Sequence, residues 1–163
     1  MFFEHVYKSW KPKQFAKYEQ LSKQVDLKKL LHGKKVLDIA CGPCWFEEFL
    51  SKQKIDVSNF LCVDKSQKHL GEKKVDVKTL ETDVSDLSLP EKFDVIVALD
   101  CLHLFDFDFK KYLKKNGIVV ASLFFSSSSS QKRALLKQKL KGLKIEKEII
   151  VKGEENEVFV VAK

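Results

Sequence analysis

Short, nearly continuous apolar runs alternate with helix-like segments from residue 35 to the end of the chain. These runs are rich in β-branched residues, as is typical of strands buried on both faces of a sheet. The alternation predicts an α/β fold with a mostly parallel sheet, because parallel strands need a crossover between them. The predicted strands of this parallel part cover residues 36–39, 60–63, 75–80, 93–99 and 118–125.

Helical patterns separate several of these runs. Residues 45–50 place their apolar side chains on one face of a helix that follows the first strand. The segment 107–115 is also helical in pattern, and the Asn116-Gly117 pair after it is typical of a helix C-terminus. Weaker helical patterns cover residues 66–70 and 131–141.

The chain closes with two apolar runs, residues 143–151 and 158–162, that no helix separates. Their short turn requires an antiparallel hairpin at the sheet edge. Residues 1–32 show no strand pattern and are predicted to form one or two helices. No linker or repeat interrupts the chain, so we expect one domain over residues 1–163. Its Rossmann-like core, residues 35–163, is expected to be a doubly wound, mostly parallel sheet of about seven strands.

Composition narrows the class of protein. The net charge is +7, yet of the 30 basic residues only Arg133 is arginine, which is a poor composition for reading bases directly. The lysines are interleaved with acids, so we expect mainly a solvated surface, with a basic face for RNA or an acidic partner as the alternative. No apolar run reaches the roughly 18 residues that span a bilayer, and the N-terminus lacks a secretory pattern. We therefore expect a cytoplasmic protein with no membrane partner.

Residues 36–44 carry the most informative chemistry. Asp38 lies near the end of the first predicted strand, and Gly42 follows in a turn of small residues before a helix begins. Ligands bind beyond the carboxyl ends of parallel strands, where small residues let them approach backbone N–H groups. Asp64, 22 residues after Gly42, ends the second predicted strand. An acid at that place can accept hydrogen bonds from the hydroxyls of a ribose.

These motifs, together with later ones, resemble those of the class I S-adenosylmethionine-dependent methyltransferases. The matching segments follow the family's order along residues 35–163: Asp38–Cys44 with the glycine loop, Asp64 with the ribose-binding acid, Asp83-Val84 with the adenine contact, and residues 93–103 and 113–120 with the later motifs. Several motifs in register with the predicted elements make the resemblance far more specific than one glycine motif alone.

The resemblance implies S-adenosylmethionine as the cofactor and assigns residues to its site. Cofactor contacts are then expected from Asp38, Ala40, Cys41, Gly42, Asp64, Lys65, Asp83, Val84 and Leu99. Tyr7 and Trp10, in the helical segment 1–32 that would cover the cofactor side, are further expected contacts. Methyl transfer depends mainly on alignment of the reactants. If the acceptor needs a general base, Asp100 or His103 after the fourth strand is the candidate.

A redox function is the competing interpretation of the cysteines. Cys41-Gly42-Pro43-Cys44 is the redox motif of thioredoxins, in which a helix start lowers a thiol pKa. Trp45 follows this pair instead of preceding it, however, and redox chemistry would leave Asp64 and Asp83 without a role. No second cysteine pair follows to complete a zinc site, and Cys62 lies within an apolar run, so we expect no metal.

The identity of the methyl acceptor is open at the level of sequence. Ala40 and Cys44 stand where many family members have glycine, and a catalytically degenerate scaffold or partner subunit is the alternative to an enzyme. No inserted lid follows a predicted strand. We therefore expect an open site that takes a small molecule, tRNA, rRNA or protein, or that an RNA or protein partner completes. Four lysines in the helix predicted after His103 are expected near its mouth, mainly as a solvated helix face, with attraction of an anionic acceptor as the alternative: Lys110, Lys111, Lys114 and Lys115.

Overall fold

The computed structural model describes the backbone of residues 2–163 and the side chains of residues 8–163. Strands and helices alternate along the chain. The strands are β1 (Val36–Ile39), β2 (Phe60–Asp64), β3 (Lys78–Glu81), β4 (Phe93–Leu99), β5 (Leu113–Phe125), β6 (Ile145–Val151) and β7 (Asn156–Ala162). The helices are α1 (Phe2–Ser22), α2 (Leu27–Leu31), α3 (Trp45–Lys52), α4 (Gln67–Gly71), α5 (Phe109–Tyr112) and α6 (Ser130–Lys139), with a 3₁₀ turn at Val84–Asp86. No helix in the described part of the chain is long and apolar enough to cross a bilayer.

The seven strands pair into one sheet in the order β3-β2-β1-β4-β5-β7-β6. Strands β1 to β5 run parallel, and β7 is antiparallel to both of its neighbours, β5 and β6. The strand order reverses at β1, which pairs with β2 on one side and β4 on the other. The predicted doubly wound, mostly parallel sheet with an antiparallel C-terminal edge hairpin is confirmed. The assignment of one domain to residues 1–163 stays a prediction.

Alternating side chains of the central strands build a core on each face of the sheet. Leu37 and Ile39 of β1 belong to the core that α5 and α6 cover, whereas Val36 belongs to the core shared with α1 and α3. Asp38 points to the same face as Val36, because strand side chains alternate with a period of two. Its carboxyl group is therefore buried against α3 and does not stand at the tip of the strand.

The helix predicted at residues 107–115 is wrong in its C-terminal half. Helix α5 ends at Tyr112, and Leu113 already pairs with β4. The next paired residue of β5 is Ile118, so the residues between them bulge out of the ladder. Asn116 adopts a left-handed φ of 64° within this bulge. The Asn116-Gly117 pair therefore turns the backbone inside a strand, where the pattern predicted the end of a helix.

Candidate active site

A cavity of about 730 Å³ opens at the carboxyl ends of the central parallel strands. It lies beside the reversal of strand order at β1, which is where open α/β sheets bind their ligands. The loops that follow β1, β2, β3 and β4 form its floor and walls, and α1 lies along one side. The predicted site residues that line it are Trp10, Ala40, Cys41, Gly42, Asp64, Lys65, Asp83, Val84, Leu99 and Asp100.

The floor loop between β1 and α3 passes through left-handed backbone three times. Ala40, Gly42 and Cys44 have φ angles of 54°, 58° and 59°. Glycine adopts this conformation freely, whereas a residue with a Cβ loses about 1–2 kcal/mol there. The Cys41 N–H donates to the carbonyl of Val63 at 3.0 Å, which ties the loop to β2. The loop thus keeps a glycine-type path although only one of these three residues is glycine.

Asp64 fixes this loop from the end of β2. Its Oδ2 accepts the Gly42 N–H at 2.8 Å, and its Oδ1 accepts the Ser66 N–H at 2.8 Å. His69 Nδ1 lies 3.9 Å from Oδ1. The side chain is nearly buried yet lines the cavity. Because each carboxylate oxygen has a second lone pair, Asp64 can still accept hydrogen bonds from a ligand.

The wall after β3 and β4 combines a polar cap with apolar surface. Asp83 is exposed, and its Oδ1 accepts both the hydroxyl and the backbone N–H of Ser85, at 2.6 and 3.0 Å. These two hydrogen bonds lower the pKa of Asp83. Val84 is buried against the core, and together with the partly buried Leu99 it gives the cavity an apolar side. A planar aromatic base fits such a surface.

Asp38 is not among the residues that line the cavity, because its carboxyl group lies under the floor loop. Burial, and then the neighbouring Glu47 carboxyl group, raise the pKa of Asp38 well above its ordinary value. Burial likewise raises the pKa of Glu47 to about 7. The sequence reasoning missed Glu47. Its signal was the acid pair Glu47-Glu48 between the apolar residues Trp45-Phe46 and Phe49-Leu50.

Of the two candidate general bases, the structure brings only Asp100 to the cavity. Asp100 has a left-handed φ of 49°, its N–H donates to the Ser122 carbonyl at 2.9 Å, and its Oδ1 accepts the Phe124 N–H at 3.0 Å. These contacts hold the carboxylate at the mouth of the cavity. His103 is exposed and does not line it. The side chain of Tyr7, a predicted contact, lies outside the described residues.

Helix α1 contributes Trp10, Gln14 and Tyr18 to the cavity wall, the last two of which were not among the predicted site residues. Tyr18 is buried, and this burial together with nearby carboxylates raises its pKa well above the ordinary value. The buried Lys17 ammonium forms ion pairs with Glu157 at 2.9 Å and Glu155 at 3.1 Å. These contacts attach α1 to the C-terminal hairpin.

The four lysines expected near the mouth lie at the opposite end of the sheet. Residues 100–108 lead the chain back from the end of β4, so that α5 and the start of β5 stand beside the start of β4. Lys114 forms an ion pair with Asp94, near the start of β4, at 3.1 Å. Lys110 lies next to Gly142, in the segment before β6. None of the four lines the cavity, so the prediction that they lie near its mouth is wrong.

Of the cysteine pair, Cys41 lines the cavity and Cys44 lies buried under its floor. The Sγ atoms of Cys41 and Cys44 are 3.8 Å apart, and both thiols are free. Hydrogen bonds from the Cys41 and Cys62 thiols lower the pKa of Cys44 to about 4. Cys44 is fully buried, however, whereas the attacking thiolate in disulfide exchange must be accessible. The hydrogen bond with Cys44 raises the pKa of the partly exposed Cys41 thiol, which disfavours its thiolate form. The geometry gives the thioredoxin-like alternative no support.

Comparisons with known proteins agree with this architecture. The profile of the methyltransferase domain family matches residues 36–121. No curated protein sequence matches the chain significantly. Among solved structures, the plantazolicin methyltransferase BpumL, in complex with S-adenosylhomocysteine, is 13% identical, with a TM-score of 0.67 over 98% of this chain and 89% of its own.

Two further solved structures share the fold at similarly low identity. Magnesium protoporphyrin IX methyltransferase from Synechocystis, with bound S-adenosylmethionine, is 14% identical, with a TM-score of 0.66 over 92% of this chain and 79% of its own. The N-methyltransferase NodS from Bradyrhizobium japonicum, in complex with S-adenosylhomocysteine, is 14% identical, with a TM-score of 0.60 over 78% of this chain and 76% of its own.

Proposed function

The chain belongs to the family of methyltransferase domains, and on this premise we propose that it is a class I S-adenosylmethionine-dependent enzyme that methylates an amine carried on an apolar molecule. The observation that supports this choice of acceptor is the rim of the cavity. Three of the four large hydrophobic side chains that the described residues expose, Trp10, Leu104 and Phe124, line this cavity, and acidic side chains stand among them.

The residues around the cavity fit S-adenosylmethionine. Asp64 offers carboxylate lone pairs for the ribose hydroxyls, and Val84 with Leu99 offers an apolar side for the adenine. The backbone of the floor loop around Gly42 is open to the polar end of the molecule, because Gly42 has no side chain to block it. Trp10 and Tyr18 of α1 cover the same space. The volume of about 730 Å³ lies within the range of small-molecule sites.

When bound, S-adenosylmethionine supplies a methyl group that its sulfonium already activates. The protein therefore has to align the acceptor and exclude water, and alignment alone can contribute about 7–11 kcal/mol to the lowering of a barrier. Asp100 is held by Ser122 and Phe124 so that its carboxylate lies in the cavity. It can accept a hydrogen bond from an amine N–H, which orients the nitrogen lone pair, and can pass the released proton to solvent.

The charge at the mouth favours an amine over an anionic acceptor. Asp100 lines the cavity, and its carboxylate attracts a group that carries N–H donors or a positive charge. Glu155 also lines the cavity, but Lys17 already neutralises much of its charge. Trp10 and Phe124 are exposed by 37% and 38%, and Leu104 by 69%. An exposed apolar rim of this kind is typical of a binding site. Its aromatic members would stack on the apolar part of the acceptor, or would meet a protein that carries the amine.

Cofactor binding is the first test. Calorimetric titration of the purified chain with S-adenosylmethionine and S-adenosylhomocysteine should show one site. At 100 times its dissociation constant, either ligand should add about 2.7 kcal/mol to the free energy of unfolding. Absence of any heat or stabilisation at millimolar ligand would contradict the enzyme and favour the degenerate scaffold.

The acceptor is tested with cofactor that carries a labelled methyl group. The labelled cofactor is incubated with separated small-molecule, RNA and protein fractions, each with and without the chain. We expect label in the small-molecule or protein fraction that survives mild base, as an N-methyl group does. Label that base releases as methanol, which indicates a methyl ester, would contradict an amine acceptor. Label confined to RNA would contradict both the amine and the apolar carrier.

A further inference from the structure

Three cysteine thiols come together at the cavity floor. The Sγ atoms of Cys41, Cys44 and Cys62 all lie within 4.8 Å of one another. Cys41 and Cys44 belong to the loop after β1, and Cys62 lies on β2, where it pairs in register with Asp38. Cys44 and Cys62 are fully buried, whereas Cys41 is partly exposed and lines the cavity. The parallel pairing of β1 with β2 thus supplies the third thiol that spacing along the chain does not reveal.

A buried carboxylate lies beside the cluster. Glu47 lies in the first turn of α3, three residues after Cys44, and is fully buried. Neither of its carboxylate oxygens has a hydrogen-bond partner within the described part of the chain. The Cys62 thiol and the Asp38 carboxyl group are its polar neighbours. A buried carboxylate in this state is costly unless a proton or a cation compensates its charge.

The spacing of the thiols is that of a tetrahedral metal site. Thiolate sulfur binds zinc at about 2.3 Å, so two sulfurs in tetrahedral geometry lie about 3.8 Å apart. The Sγ atoms of Cys41 and Cys44 are 3.8 Å apart. The Cys62 sulfur lies within 4.8 Å of both, so a shift of about 1 Å by this atom would bring all three sulfurs to the spacing of tetrahedral ligands.

We propose that Cys41, Cys44 and Cys62 bind one zinc ion, and that the Glu47 carboxylate, which neighbours the Cys62 thiol but lies outside the group of three, turns toward the ion as the fourth ligand. Three sulfurs and one carboxylate oxygen are a donor set that zinc accepts, whereas copper(I) prefers sulfur alone. Binding replaces the protons of the thiols by the metal, and those protons leave to solvent. The partly exposed Cys41 provides the entry path from the cavity.

The zinc ion would fasten the floor loop to β2 and α3 at once. The expectation that the chain has no metal rested on the missing second cysteine pair, and the fold replaces that pair by Cys62 and Glu47. The proposal does not depend on methyl transfer, because its test measures metal binding alone.

The test uses the full chain, reduced and freed of metal under nitrogen. Titration with cobalt(II), a spectroscopic substitute for zinc, should give thiolate-to-metal charge-transfer bands and the visible bands of a tetrahedral ion that saturate at one equivalent. Zinc should displace cobalt at one equivalent. Cys41→Ser and Cys62→Ala should each lower the affinity for zinc at least about 100-fold, and Glu47→Gln about tenfold or more. Cys101→Ala removes a buried thiol outside the cluster and should leave the affinity unchanged.

Several outcomes would overturn the proposal. Cobalt spectra without charge-transfer bands, or saturation far below one equivalent, would show that the thiols do not form a site. An affinity for zinc that Cys41→Ser leaves intact would do the same, and this partly exposed position is the least demanding for folding. Circular dichroism of each variant shows whether it is still folded, and so distinguishes the loss of a metal ligand from unfolding. A Cys41–Cys44 disulfide in protein prepared without air would also contradict metal binding.

Discussion

Each oxygen of the Asp64 carboxylate already accepts one backbone hydrogen bond, from Gly42 and from Ser66. The same side chain therefore shapes the floor loop and offers its remaining lone pairs to a ligand. Asp83, the other acid near the expected nucleoside, is exposed and accepts its two hydrogen bonds from Ser85. Two acids that look equivalent in the sequence thus differ in how firmly the structure holds them.

Asp64→Asn should weaken S-adenosylmethionine binding about tenfold or more, because hydrogen bonds to a charged group contribute about 1.5–3 kcal/mol. The new amide also turns an N–H donor toward either Gly42 or Ser66. Asp83→Asn is the matched control and should change the affinity less than about threefold, since its carboxylate is exposed. Calorimetric titration measures both. Equal losses in the two variants would contradict the role given to Asp64.

Some site residues could be predicted from the sequence and others could not. Asp64 and Gly42 could, because the end of an apolar run and a turn of small residues are visible in the letters. Asp38 and Glu47 are buried because of how β1 and α3 are oriented in the fold. The sequence does not indicate these orientations, so the burial of the two carboxyl groups could not be predicted. His103 could not be placed because the path of the loop after β4 is set by tertiary contacts.

At the scale of elements, aromatic contacts attach α1 to α3, and the buried Lys17 attaches it to the C-terminal hairpin. Tyr18 packs against Phe46 and Phe49 of α3, with ring centroids 5.1 and 5.6 Å apart. Burial disfavours the Lys17 ammonium, but Glu157 and Glu155 outweigh burial and raise its pKa. Since α1 forms one side of the cavity, these contacts also set the shape of the site.

Lys17→Met should lower the free energy of unfolding by about 3–5 kcal/mol, because it leaves the buried Glu157 carboxylate without its cation. Lys13→Met is the control. Lys13 reaches Glu154 and Glu155 only at 3.8 and 4.0 Å on the surface, and its loss should cost less than about 1 kcal/mol. Urea denaturation followed by circular dichroism gives both values. A Lys17 variant as stable as the Lys13 variant would show that α1 does not depend on this pair.

At the opposite end of the sheet, Asp94 joins the starts of β1, β4 and β5. Burial opposes its ionisation, but the Lys35 N–H at 2.9 Å and the Lys114 ammonium at 3.1 Å outweigh burial and lower the pKa of Asp94. A carboxyl group with a lowered pKa stabilises the fold above its unfolded pKa, and this contribution is lost as the pH falls through the folded pKa.

Asp94→Asn should therefore reduce the free energy of unfolding by about 1 kcal/mol at neutral pH, a value discounted for the partial exposure of the ion pair. The difference between the two proteins should shrink as the pH falls below 3.8, the ordinary pKa of the group. Denaturation curves at a series of pH values measure it. A difference that stays constant down to the lowest pH would exclude a charge effect.

The boundaries of β5 show why element limits are harder to predict than element types. Apolar residues at 109, 112 and 113 follow a helical pattern, yet Leu113 pairs with β4. The bulge before Ile118 depends on strand pairing, which local sequence does not encode. A Cβ atom at position 117 would lie only 2.6 Å from the Leu113 side chain, so this position has no room for a side chain. Local pattern thus identified a turn at Asn116-Gly117 but not the element that contains it.

For the whole molecule, the net charge is +7, but few of the lysines responsible for it lie at the cavity. Lys114→Ala combined with Lys115→Ala should leave methyl transfer to the natural acceptor unchanged within about twofold, because both side chains lie at the far end of the sheet. Non-specific retention on RNA at low salt should decrease, since each phosphate contact contributes about −0.7 to −0.9 to the slope of log affinity against log salt. Loss of methyl transfer in this variant would contradict the position of the acceptor site.

The order of elements and the family could be predicted from the sequence, and the profile match over residues 36–121 confirms the family. Each buried strand needs an apolar run, and each parallel crossover needs a connecting segment. The order of strands and helices can therefore be inferred from the order of these segments in the sequence. The contacts of Cys62 with Cys41 and of Lys17 with Glu157 cannot be inferred from the sequence in this way. Those contacts arise only when distant strands and helices pack.

The two edge strands of the sheet, β3 and β6, affect how readily the protein aggregates. Strand β3 is short and largely exposed, and β6 carries Glu146, Lys147 and Glu148 on its exposed stretch. Charges on edge strands discourage pairing with the sheet of another molecule. The apolar strand β5 is shielded because β7 lies beside it. Proteolytic loss of residues 145–162 would turn β5 into an unprotected edge, so the C-terminal hairpin guards the protein against fibril-like association as well as anchoring α1.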